Sequence, residues 1–364
     1  NIFLIALIFL STYGVLSTKI KIDKFDTRYL YLVILFIVYI VINTILTYGE
    51  IREVDNYSRL LFLIPLFLYL KNSSTSKIDI ILICQACLII AFFMFFFNHY
   101  PSDMRYSGTA SSPITFGNII MTLVIILIYQ MLNERKPYLI LVNIIIVSLG
   151  FIVWSETLTR GSLAGLLISM IYIAFIYRSK IKLIILSLLI MISFILNSSI
   201  SDRIYGTYKN ISSVISFELK NSSIENRSEN QRVAYMLYSL TQIKEKPFFG
   251  VGASNVKDPM RVYFRSNGFL VAESDHFHNE YLDIITKFGI VGFIIFASIF
   301  FNMYSQIKKS KSLFYSDLSM LLILSQMGYM IFQSQFAHHQ AIVFFLLFLN
   351  YCLSQCLKTS DNSG

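Results

Sequence analysis

Charge is what this 364-residue chain has least of: Asp, Glu, Lys and Arg make up 14% of it, against about a quarter in a soluble domain. With 55% hydrophobic residues and a mean hydropathy of +0.64, that scarcity excludes an ordinary soluble globular protein. The start of the chain lacks the basic front and small-residue cleavage site of a secretory signal peptide, so residues 1–17 read as a membrane helix. Cysteine is scarce as well. Cys84 and Cys87 fall in the inner half of an apolar run, and Cys352 and Cys356 near the cytoplasmic tail, where disulfides are disfavoured. All four are read as packing residues. An Asp-x-Asp motif for Mg²⁺ and an internal repeat are both lacking.

What the chain does have is apolar segments long enough to cross roughly 30 Å of hydrocarbon. They cover 1–17, 30–48, 59–76, 80–97, 114–132, 138–154, 162–177, 183–199, 289–306, 317–335 and 340–355. The expected fold is an all-α integral membrane protein with about 11–12 spans, and Pro65 is expected to kink the third. The first residue is Asn rather than Met, which leaves room for one further helix ahead of it and keeps the parity at that end open.

Orientation follows from the short loops, because Lys and Arg are retained on the cytoplasmic side. One set of loops and the tail hold fifteen such residues, among them Lys19, Arg135, Lys182 and Lys308; the opposite set holds only Arg52, Arg59, Arg105 and Arg160. The second set is therefore outside, together with the long polar stretch 197–288. All five histidines, His99, His276, His278, His338 and His339, fall on that outer side. The net charge of +9 then needs no nucleic-acid partner. Three parts result: a membrane bundle at 1–196, an outer helical loop at 197–288, and C-terminal membrane helices with a short cytoplasmic tail at 289–364.

The outer loop opens with Ser, Asn and charged residues, a composition too polar to build a core. From Glu229 to Glu245 the pattern changes: Val233, Met236, Leu237, Leu240 and Ile243 recur at helical spacing, and Pro247 with Gly250 supply a stop. A second amphipathic helix is expected at 277–288, with Phe277, Tyr281, Ile284, Ile285 and Phe288 as its apolar stripe and Glu280, Asp283 and Lys287 on the opposite face. On that wheel His278 sits at the edge of the stripe beside Leu282, turned partly toward the protein. The long stretch is thus expected to form a helical cap over the outer membrane face.

Several residues there can carry chemistry. Arg160 lies in the outer turn of TLTRGSLAG; a snorkelling helix-end arginine favours the inner side, so an outward one suits an anionic substrate. Its fork of fixed donors matches the paired oxygens of a phosphate. Arg232 opens the first cap helix, and Arg261 and Arg265 follow in MRVYFRSNG. Prepositioned guanidinium groups can stabilise the charge of a leaving diphosphate without a metal. His278, with an ordinary pKa near 6.5, can accept a hydroxyl proton at neutral pH. It begins a motif with Asn279: His-Asn, nine residues, Gly289, two apolar residues, Gly292. The pair His276-x-His278 beside Asp275 could imitate a metal site, but no second ligand group is recognisable, so neither metal nor cofactor is expected.

TLTRGSLAG, QRVAYMLYSLTQIKEKPFFGVGASN and HNEYLDIITKFGIVG together resemble the bacterial O-antigen ligase and O-antigen polymerase family over residues 105–306. The resemblance implies an inner-membrane glycosyltransferase with a periplasmic site, acting without metal on an undecaprenyl-diphosphate-linked glycan. By position, Arg160 would bind the diphosphate, His278 would activate the acceptor, and Arg232, Arg261, Arg265 and Asn279 would line the substrate cleft. A ligase would pass the glycan to the lipid A core, whereas a polymerase would pass it to another lipid-linked repeat unit. One dominant outer loop, late in the chain and ending in the His-Asn motif, favours the ligase. A protein O-oligosaccharyltransferase fits less well, because such relatives carry more chain after the motif.

The competing class is a membrane transporter or flippase. Such proteins place charged or broken-helix elements at mid-membrane, and the interiors of the spans are expected to hold essentially no charge. Chemistry confined to one surface, in contact with membrane lipids, favours a transferase.

Overall fold

The computed structural model describes residues 2–17, 24–62, 64–72, 79–97, 105–178, 228–266, 274, 276–310 and 312–361. In chain order its helices are α1 (Ile2–Ser17), α2 (Lys24–Leu46), α3 (Asp55–Phe62), α4 (Ile64–Asn72), α5 (Ile80–Phe97), α6 (Pro113–Asn133) and α7 (Pro137–Glu156). There follow α8 (Gly161–Ile176), α9 (Ser228–Glu245), α10 (Lys257–Ser266), α11 (Glu280–Ile307), α12 (Leu313–Met330) and α13 (His339–Asp361). No strand occurs among the described residues. Six of these helices, within α2, α5, α6, α7, α11 and α13, are long and apolar enough to cross a membrane. This is an all-α, multi-pass membrane protein. The expected span 183–199 and the polar run after it lie outside the described residues, as do Asp275 and His99.

A single packed body surrounds α6, whose Ile120 to Leu132 are nearly all buried. The helix α12 packs most extensively on α8, and α11 on α2. The expected third span, 59–76, is corrected to two short helices, α3 and α4. Pro65 is the second residue of α4, where a missing N–H breaks no helical bond, so the proline starts a helix instead of kinking one.

Charged side chains are buried near helix ends and in the short helix α3. Lys71 Nζ donates to both oxygens of Asp26 at 2.9 and 2.8 Å, with side chains only 5% and 1% exposed. Arg59, read as an outer-loop cation, is buried on α3 and donates to the carbonyl of Phe336 at 2.9 Å. Asp26→Ala leaves Lys71 buried without its partner, which is expected to cost about 3–5 kcal/mol. The measurement is a thermal unfolding curve of the purified protein, and an unchanged midpoint would refute the ion pair's role.

The cap helix expected at 229–245 is present as α9. With α10 and Phe277 it closes a small core of Tyr235, Tyr238, Val256, Met260 and Phe264. The helix expected at 277–288 is corrected: it begins at Glu280 and continues through a break at Gly289 into the membrane helix, all within α11. At that break Gly289 has φ 69° and ψ −176°, a conformation open essentially to glycine alone. The loop after α9 fills the break. Val251 and Gly252 N–H donate to the carbonyls of Thr286 and Lys287, both at 2.9 Å. Ile290 and Val291 N–H donate to the carbonyls of Pro247 and Phe248, at 2.9 and 3.3 Å. Four main-chain groups freed by the break thus find partners in the PFFGVG run, and the Phe288 carbonyl accepts from the Tyr39 hydroxyl. Gly250, at φ 72°, completes the fit, since a Cβ there would meet the Lys287 backbone at 2.5 Å.

Candidate active site

His278 is not a helical residue, contrary to the wheel drawn from sequence. Asn279 caps α11 by accepting from Leu282 N–H at 3.0 Å, which places His278 just outside the helix in the left-handed region at φ 54°. The ring is still half-buried, held by the cap and not by a helix face. Its centroid lies 5.8 Å from Tyr235 of α9 and 4.5 Å from His276. Its Nδ1 is buried without a hydrogen-bond partner. Burial, the neighbouring His276 and the cation of Arg232 push its pKa down to about 3, so the ring is neutral at pH 7, in the form that can take a proton, though a weaker base than a free imidazole.

The segment 331–338, between α12 and α13, runs past this histidine. Asn279 Nδ2 donates to the carbonyl of Ile331 at 3.0 Å. Gln333 hydrogen-bonds His338 Nε2, and the His338 ring stands 5.9 Å from His276. Three histidines therefore share one half-buried corner.

Arg160 is the N-cap of α8, and the adjacent Gly161 lies against Phe332 of the same segment, 3.0 Å from where its Cβ would stand. Arg160 and the His278–Asn279 pair thus flank the 331–338 segment from two sides. The turn that carries Arg160 is braced by Arg105, whose Nε donates to the carbonyl of Thr157 at 2.9 Å and whose Nη2 reaches Thr159 Oγ1 at 3.3 Å. Sequence reasoning counted Arg105 only as an outer-loop cation. Its nearness to TLTRG is a long-range contact that no local pattern signals.

The other arginines divide. Arg232 sits close enough to His278 to depress its pKa and lies three residues before Tyr235, on the same face of α9. Arg261 is engaged by Asp258 one turn earlier on α10, at 2.9 Å, and Arg265 is exposed at the end of that helix. The inward face of α10 is apolar, made of Met260 and Phe264. The structure brings Arg232 to the histidine and leaves Arg261 and Arg265 at the rim of the cap. Asn279 has its amide oxygen and nitrogen both engaged within the protein, so it holds the site together. Among the described residues no cluster of three or more His, Cys, Asp or Glu has the geometry to hold a metal ion.

Among the described residues, this many-helix membrane body has a polar corner where a neutral histidine lies near the cation of Arg232. Residues 143–297, which hold Arg160, Arg232, His278 and the Gly289 break, match the family described as O-antigen ligase. That stretch thus resembles the domain of the O-antigen ligase and polymerase family, whose members are glycosyltransferase-like ligases and polymerases. A Haemophilus influenzae protein described only as uncharacterized is 25% identical over 348 residues, covering 91% of this chain and 86% of that protein.

Proposed function

We propose that this chain is an O-antigen ligase of the bacterial inner membrane, moving a glycan from undecaprenyl diphosphate to the lipid A core at the periplasmic face. The observation that carries the reading is the neutral His278 with its free Nδ1, set beside Arg232 and across the 331–338 segment from Arg160. His278 takes the proton of the acceptor hydroxyl as that oxygen attacks the anomeric carbon. The bond from this carbon to the diphosphate oxygen breaks, and undecaprenyl diphosphate leaves with the electron pair. Arg160 and Arg232 meet the developing charge, and Arg261 and Arg265 draw the anionic donor toward the cap. Guanidinium groups do here what a Mg²⁺ ion does elsewhere. The outer stretch 197–288 acts as the acceptor-facing part, the two flanking parts as the membrane scaffold.

The test is purified protein with a lipid-linked glycan and, separately, lipid A core or a second lipid-linked unit. Transfer to the core alone supports the ligase. Transfer to the second unit alone makes the chain a polymerase, and transfer to neither refutes the reading. In the same assay Arg160→Ala is expected to lower kcat/KM about 10- to 100-fold, the worth of a charge-assisted hydrogen bond of roughly 1.5–3 kcal/mol. Arg160→Lys keeps the charge without the fork and is expected to recover only part of that loss.

A further inference from the structure

The polar face of α11, opposite its apolar stripe, is buried. Glu280 and Asp283 are 1% exposed and Lys287 5%. These groups do not merely neutralise one another. One Asp283 oxygen accepts from the backbone N–H of Phe277 at 3.1 Å and pairs with Lys287 Nζ at 3.3 Å; the other accepts from the Ser334 hydroxyl. Phe277 immediately precedes His278, and Ser334 immediately follows Gln333, the residue that holds His338. A single carboxylate therefore grips both chain segments that carry the histidine corner. Glu280, one turn earlier, repeats the arrangement at lower leverage: it accepts from Phe336 N–H at 2.9 Å and from the Tyr57 hydroxyl at 3.3 Å, while Arg59 holds the Phe336 carbonyl.

We propose that Asp283 is the positioning residue of this site, fixing His278 and the Gln333–His338 segment in mutual register through Phe277 N–H and the Ser334 hydroxyl. The physical case rests on placement. A buried charge with three partners is costly to assemble and is retained where it fixes one arrangement among several. The left-handed backbone at His278 is a conformation that persists only where its surroundings over-determine it. Phe277 N–H is the last main-chain donor before that residue, and Asp283 holds it from one turn inside the helix. Lys287 pairs with the same Asp283 oxygen that accepts from Phe277, leaving the other for Ser334.

The proposal rests on the transferase reading for its consequence in catalysis, but its geometry can be tested apart from it. In full-length protein in lipid nanodiscs, diethyl pyrocarbonate modification of His278 is followed by mass spectrometry. The reaction is expected to run several-fold faster in Asp283→Ala and in Ser334→Ala than in the unaltered protein. Asp26→Ala, which breaks a buried ion pair away from this corner, is expected to leave that rate unchanged despite lower stability. Equal rates in all variants overturn the proposal whatever the protein catalyses. Should Asp283→Ala fail to fold, Ser334→Ala alone decides, because a serine hydroxyl is removed without leaving a buried charge. In the transfer assay, Asp283→Ala is expected to lose roughly 10²-fold in kcat, the cost of misplacing a reacting group by about 1 Å, with the donor KM held. A KM rise with kcat unchanged overturns the positioning role. Transfer that survives His278→Ala would sink the transferase mechanism and leave the modification result standing.

Discussion

Replacing His278 with alanine is expected to lower kcat by about 10²- to 10⁴-fold, the usual contribution of a positioned general base, while donor KM changes little. The split follows from the geometry. His278 has a buried Nδ1 without a hydrogen-bond partner, whereas the cations that would meet the donor stand on α8 and α9. Its depressed pKa of about 3 has causes in a definite order, burial first, then His276 and Arg232, and this sets the pH profile. In the free enzyme His278 stays neutral far below the ordinary value near 6.5, so kcat/KM is expected to hold through pH 6 and 5. A bound diphosphate would offset the Arg232 cation and raise the pKa, so the acid limb of kcat is expected at higher pH than that of kcat/KM. Coincident limbs near 6.5 would exclude the buried neutral histidine. Stability carries the same sign: the unfolded chain binds this proton below about 6.5 and the folded one does not until about 3, so stability falls as pH drops through that window and is flat above it.

Gly289→Ala is expected to destabilise the protein by about 3 kcal/mol or more, adding a backbone strain of ~1–3 kcal/mol to hydrogen bonds of roughly 1 kcal/mol each. A Cβ at this position would overlap the carbonyl of Phe248. Relief requires withdrawing the 247–252 loop, and with it the four main-chain hydrogen bonds that close the break. Thermal unfolding should show a clear drop in midpoint and early release of the cap to limited proteolysis. Ile290→Ala, at the neighbouring position that is 37% exposed, should shift the midpoint far less. Equal effects at 289 and 290 would mean that the break is not glycine-dependent.

Hydropathy made the membrane helices legible because lipid imposes one requirement on composition along the whole of each span. The 3.6-residue spacing of Val233, Met236, Leu237 and Leu240 did the same for α9. What stayed hidden were the pairings between distant segments. The α3/α4 division escaped because a hydropathy window averages over a proline at a helix start. Glu280, Asp283 and Lys287 were placed opposite the apolar stripe, and the pattern alone does not say what covers such a polar face. Here Tyr57 and Phe336, from 223 and 56 residues away, cover it. Arg232 and His278 could be named as candidates from type and motif, but their proximity belongs to the fold. Arg261 could not be told from Arg232 until Asp258 was seen beside it.

The joint between the 247–252 loop and the broken helix is made of main-chain atoms, and main-chain atoms are the same in every sequence. Most side chains along the seam can drift without loosening it, provided the glycines keep their places and Tyr39 and Asn43 keep their bonds to the Phe288 and Phe249 carbonyls. Such a seam suits recombination. The polar outer stretch that would choose an acceptor can diverge or be exchanged between distant relatives and still be carried by the same membrane helix.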